Sequence, residues 1–172
     1  MNPSVRFKCT NCNAWHEGVP GWGYPFPMTY FEVPESERAE RCFLSEDLCV
    51  VDDEHFYVCG CLEMPVAGHS DVMVVRVWAE IDMEDFLKYQ DLLDVGERES
   101  YGPYAGRLSA PIPTYQETEG LELEVKIRNH ATRPLLVISQ GTHPLGVEQR
   151  EGMPLQRLQA IYAYFENQKN AG

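Results

Sequence analysis

The stretch Leu121–Asn129, LELEVKIRN, decides the fold class. Leu121, Leu123, Val125 and Ile127 fall on one side of an extended chain, and Glu122, Glu124, Lys126 and Arg128 on the other. Such alternation is the pattern of a strand with one buried and one wet face, which belongs to an antiparallel sheet. The polar segment HATRP, 130–134, turns it into PLLVIS, 134–139, its antiparallel partner. Working outward, DLCVVDDEHFYVCGCLEMPV, 47–66, reads as a short strand, an acidic turn and a longer strand. DVMVVRVWAEI, 71–81, is a third strand, rich in β-branched and aromatic residues. Strands are therefore expected near 48–51, 55–64, 72–81, 121–129 and 133–139, with a short one in GRLSAPI, 106–112.

Helices are expected between and after these strands. Pro34 opens one near 34–42, and Asp82 can cap another near 83–94, where Phe86, Leu87, Tyr89, Leu92 and Leu93 recur at helical spacing. A short helix lies in THPLGVEQREG, 142–152. A longer one, near 154–168, carries Leu155, Leu158, Ile161, Tyr162 and Phe165 on one stripe. The Pro- and aromatic-rich segment 18–34 reads as an ordered irregular loop. Hairpin-linked strands with helices collected elsewhere make an α+β class. The expectation is a single domain over 1–172, with an N-terminal knuckle at 7–17 and the sheet and helices within 30–168. The sheet is expected to be mostly antiparallel and covered by helices on one side.

The knuckle is RFKCTNCNAWHEG, 6–18, which holds Cys9, Cys12 and His16. Zinc takes soft or borderline ligands from a short, sharply turned backbone, and Cys-x-x-Cys supplies two thiolates that way. Asn13 follows the second cysteine, where the backbone often takes positive φ and Asn tolerates it. A fourth ligand has to come from elsewhere. Cys59 and Cys61 point to one face of their strand, together with Tyr57 and Glu63, while Phe56, Val58, Leu62 and Met64 take the core face. A knuckle lying over the Cys59/Cys61 face would complete four ligands, with Cys42 and Cys49 as alternatives. Such a closed set implies a structural zinc. The competing readings are six buried free thiols and a redox Cys-x-x-Cys, the latter without the βαβ surroundings it usually has.

The blocks FKCTNCNAWHEGVP, ERAERCFLSEDLCVVDDEHFYVCGCLEMPV, VWAEIDMEDF, GRLSAPIPTYQETEGLELEV and THPLGVEQREGM occur in this order. Together they resemble the DUF2199 family, bacterial proteins of unknown function, from about residue 7 to residue 165. The resemblance implies one compact bacterial domain with an N-terminal Cys-x-x-Cys…His, and brings no activity or mapped site. Relatives tend to have Gly at Asn13 and Arg at Cys59. The second departure leaves Cys61 as the preferred fourth metal ligand.

The net charge of −13 argues against nucleic-acid binding, which needs Lys and Arg against phosphates, and against anionic membrane surfaces. Nothing near the N-terminus resembles an apolar signal region, so a cytoplasmic protein is expected. Residues 32–55 carry nine acids and residues 80–100 carry eight. Beyond keeping a protein soluble, such density suits docking of a basic partner. The expected function is a small acidic protein-binding domain, in its most concrete form an immunity-type inhibitor of a basic toxin. Glu46, Asp47, Asp52 and Asp53 are its expected contact residues.

No Gly-x-Ser-x-Gly elbow, phosphate-binding Gly-rich loop or His-Glu-x-x-His is present, and no residue is assigned a catalytic role. The alternative is a small metal-containing hydrolase with a pocket around His143, where Glu148 could orient the imidazole. A third reading makes the aromatics of GWGYPFPMTYF, 21–31, a homodimer seam.

Overall fold

A computed structural model describes residues 1–172 and gives one compact α+β body. Ten strands form: β1 Arg6–Lys8, β2 Trp15–Glu17, β3 Trp22–Gly23, β4 Cys42–Leu44, β5 Leu48–Val51, β6 His55–Pro65, β7 Val72–Ile81, β8 Tyr104–Leu108, β9 Glu122–Lys126 and β10 Leu135–Ile138. The α-helices are α1 Met28–Glu32, α2 Arg38–Arg41, α3 Met83–Leu92, α4 Pro144–Glu151 and α5 Leu155–Ala171. No helix is long and apolar enough to cross a membrane.

The expected strands are present, but they do not form an open sheet covered on one side. Strands β6, β7, β8, β9 and β10 follow one another and close into a five-stranded barrel, because β10 also pairs with β6 in parallel. β5 and β4 extend the sheet outward from β6, and the two residues of β3 lie parallel to β7. The alternation read from the sequence explains the barrel's interior. Val58, Leu62 and Met64 of β6 pair with Ala79, Val75 and Met73 of β7. Leu123 and Val125 of β9 pair with Gly106 and Tyr104 of β8, and with Ile138 and Leu136 of β10. All but Gly106 are buried members of one 30-residue apolar cluster.

Closure rests on few atoms. Only Leu135 and Cys61 form a Cα pair between β10 and β6, with the Cys61 N–H donating to the Pro134 carbonyl at 3.0 Å. Beyond that point Gln149 of α4 takes over: its Oε1 accepts from the Ile138 N–H at 2.9 Å and its Nε2 donates to the Leu136 carbonyl at 2.7 Å. The side-chain amide thus satisfies backbone groups that a neighbouring strand would otherwise pair. Gly60 permits the approach, since a Cβ there would lie 2.7 Å from Leu136 Cγ and 3.0 Å from the Pro134 oxygen. Gly60→Ala should therefore destabilise by about 1–3 kcal/mol, the usual cost of overpacking, read as a lower urea midpoint with unchanged slope.

Helices close the rest of the core. Asp82 caps α3 by accepting from the Asp85 N–H at 2.8 Å, as the sequence suggests, and Phe86 packs on Phe56. Leu158 and Ile161 of α5 are fully buried in the main cluster. Arg98 is 3% exposed and donates to the carbonyls of Leu92, Leu93, Arg128 and Thr132, tying the end of α3 to the β9–β10 turn. On the outer face of β5, β6 and β7, Cys49, Val51, Tyr57, Cys59 and Trp78 form a second apolar cluster with Val33. Tyr24 and Tyr30, from the segment read as an irregular loop, pack against it, and Trp78 donates its indole N–H to the Tyr24 carbonyl at 3.0 Å.

Candidate metal centre

β1 and β2 pair as a two-stranded hairpin with Phe7 opposite His16, and the intervening turn presents the cysteines. The Cys9 N–H donates to the Ala14 carbonyl at 2.8 Å and the Asn13 N–H to the Cys9 carbonyl at 3.0 Å. Asn13 adopts φ +57°, the conformation expected of that position. The turn brings Cys9, Cys12 and His16 together, with their ligand atoms all within 4.8 Å of one another and Cys12 Sγ 3.2 Å from His16 Nε2. A tetrahedral zinc with ordinary Zn–S and Zn–N bonds separates its ligand atoms by roughly 3.5–3.8 Å, so small side-chain adjustments suffice. The three groups therefore fit a metal ion in both donor chemistry and spacing.

Local structure prepares the ligands. The backbone N–H groups of Cys12 and Asn11 draw the Cys9 thiol down to about 7, and the Asn11 N–H lies 3.4 Å from Cys9 Sγ. Cys9 is buried, whereas Cys12 is exposed and His16 half-buried. The His16 ring stacks on Tyr162 of α5, with centroids 4.6 Å apart, and Phe7 lies behind both. Further bonds fix the hairpin to the body. The Val5 N–H donates to Asp71 Oδ2 at 2.6 Å, the Tyr162 hydroxyl to the Gly18 carbonyl at 3.3 Å, and Asn11 Nδ2 to Asn167 Oδ1 at 3.2 Å.

Cys61, the expected fourth ligand, lies outside this group. The strand parity is right, but the knuckle covers the other face. Val5, Phe7 and Cys9 join the cluster of Val58, Leu62 and Met64, while the Cys59/Cys61 side of β6 faces the second cluster and Arg76. The alternatives Cys42 and Cys49 stand apart from the group as well. Burial pushes the Cys49 thiol up to about 12 and raises Cys59 and Cys42 too, as expected of structural thiols.

His143 is the N-cap of α4. Its Nδ1 accepts from the Leu145 N–H at 3.1 Å, which leaves Nε2 to donate to the Gln116 carbonyl at 2.8 Å, so both ring nitrogens are engaged. Glu148 does not orient it. Glu148 instead accepts from the Tyr115 hydroxyl and from Arg157, a partly buried cluster that sequence reading missed because Tyr115 lies 33 residues from Glu148.

Of the four acids expected to contact a partner, Asp52 is held by Arg41 through two 2.7 Å bonds, which keep its carboxyl below the usual range. Asp47 Oδ1 lies 3.1 Å from Arg133 Nε. Glu46 and Asp53 are exposed and free of ion pairs. A denser group lies on the barrel's outer surface, where Glu54, Glu80, Asp82, Glu122 and Glu124 border a hollow of about 680 Å³. Arg107 is the one cation lining it, opposite Glu80 on β7 and Glu122 on β9.

A family model described as an uncharacterized protein conserved in bacteria, DUF2199, matches residues 8–153. The chain belongs to the DUF2199 family. The match takes in Cys9, Cys12 and His16, the whole barrel and α4, and stops before α5. This DUF2199 protein matches no curated protein and no solved structure.

Proposed function

We propose that this DUF2199 protein is a binding module: its N-terminal hairpin is stapled by one zinc ion, and its acidic barrel surface receives a basic protein. An immunity-type inhibitor that shields a basic toxin is the most concrete form of this reading. The observation that carries it is the hollow bordered by Glu54, Glu80, Asp82, Glu122 and Glu124 with Arg107 as its lining cation. Glu54 and Glu122 there have no basic group within ion-pair distance, unlike Asp47 and Asp52. The sequence count of the second acidic segment also understates its surface charge, because Arg98 is withdrawn into the interior. The hydrolase reading gains nothing from His143, whose nitrogens are both committed to backbone groups.

A carboxylate-lined surface raises the encounter rate with a basic partner, and salt screens it over about 8 Å at physiological ionic strength. Pull-down from host lysate followed by binding kinetics tests this. Association should slow roughly tenfold from low to physiological salt, and Glu54→Lys with Glu122→Lys should slow it further while changing dissociation little. Glu46→Lys with Asp53→Lys should have the smaller effect. Capture of no basic partner, or association that ignores salt, would sink the proposal.

A further inference from the structure

We infer that the zinc centre is not closed by the protein: it keeps one coordination position for a thiolate or imidazole donor from outside the chain. The inference rests on the zinc reading above and deepens it. Zinc in a structural site is almost always held by four protein ligands, and a site with three keeps the fourth position for solvent or an incoming group. Here Cys9, Cys12 and His16 converge, and no further Cys, His, Asp or Glu joins them.

The surroundings say where the vacant position points. Cys9 belongs to the apolar core and would hold an ion from the protein side. His16 is fixed from one flank by its stack on Tyr162. The remaining side is the turn Thr10–Trp15, every residue of which is exposed, Trp15 by 59%. The unliganded direction therefore opens to water past Cys12 and not into the barrel. Cys61 cannot swing in to close it, because its strand register places it on the far face of β6.

Two thiolates and a neutral imidazole already cancel the charge of Zn²⁺, which weakens its pull on a hard oxygen donor. A soft or borderline donor gains most from such a centre, which selects the thiolate and imidazole class. The event is ligand exchange without redox change: the bound water leaves and the incoming sulfur or nitrogen takes its place.

Cobalt substitution reads this directly, since four-coordinate Co²⁺ gives visible bands that respond to each ligand. The full chain loaded with Co²⁺ should bind one ion and show a tetrahedral spectrum. Titration with imidazole, and separately with 2-mercaptoethanol, should shift that spectrum saturably without releasing the metal. Cys61→Ser should leave both the spectrum and its response unchanged. A one-to-one tetrahedral complex that ignores both probes, or one whose spectrum changes in Cys61→Ser, would overturn the open position while leaving the metal site standing. Failure to retain one metal per chain would overturn the zinc reading and this inference together.

Discussion

Glu148→Ala should lower the stability of the fold by about 3 kcal/mol, the cost of leaving a largely buried charge without its partner. Arg157 and Glu148 keep only 25% and 14% of their side-chain surface exposed, and Arg157 Nε and Nη2 lie 3.2–3.3 Å from the carboxylate oxygens. The guanidinium also sits 4.2 Å over the ring of Tyr115 and donates to the Thr114 carbonyl. Burial, and then the neighbouring carboxylate of Glu148, push the Tyr115 hydroxyl far above the usual tyrosine range, so it stays a hydrogen-bond donor throughout the working pH range. One carboxylate thus serves two partners from two different segments, and its removal strands both. Tyr115→Phe deletes a single bond to a charged acceptor and should cost about 1.5–3 kcal/mol. Glu148→Ala with Arg157→Ala should cost clearly less than the sum of the two single changes, since the pair is then removed as a unit. Denaturant midpoints at constant slope measure all three. A Glu148→Ala protein within 0.5 kcal/mol of the parent would show that the cluster is not holding loop 109–121 to α4 and α5.

That cluster marks the boundary of what the sequence could reveal. The alternation in Leu121–Ile127 and the β-branched run in Val72–Ile81 are local signals, and both strands form where those signals lie. The caps at Asp82 and His143 are equally local, each readable from a side chain just ahead of a helix. Barrel closure is different in kind. It depends on one parallel Cα pair, a glycine that admits Leu136, and the amide of Gln149, none of which leaves a periodic trace. The metal group divides along the same line. Cys9, Cys12 and His16 sit within eight residues and converge, whereas the choice of Cys61 needed to know which face of β6 the hairpin covers. Charge counting by segment takes no account of ion pairing, for a related reason. Arg41 and Arg133 neutralise Asp52 and Asp47, and Arg98 turns inward, while Glu54 of the β5–β6 turn joins Glu80, Asp82, Glu122 and Glu124 around one hollow.

Cys12→Ser should abolish stoichiometric zinc binding, lowering affinity by more than 100-fold, beyond what loss of an outer-shell partner costs. Cys12 is the informative position because it is exposed: its thiol contributes a ligand and almost no packing. Cys9→Ser removes the ligand and also places a hydroxyl among Phe7 and the core residues, so it should lose stability beyond the metal's share. In the parent, chelation should release the hairpin from β1 to β2 and the face of α5 that carries Tyr162, seen as faster amide exchange across residues 5–18 and 158–167. The barrel's own unfolding midpoint should fall with it, because Val5, Phe7 and Cys9 of the hairpin and Leu158 and Ile161 of α5 belong to the same apolar core as β6–β10. Acid should act like the chelator, since the thiolates and the imidazole bind metal only when deprotonated. Zinc well under one per chain in protein purified without chelators would remove the metal from the hairpin, and full zinc retained by Cys12→Ser would place it on other ligands. The hairpin would then be held by Asp71, Tyr162 and Asn167 and by the packing of Val5, Phe7 and Cys9 on the core, and chelators would leave its exchange rates untouched.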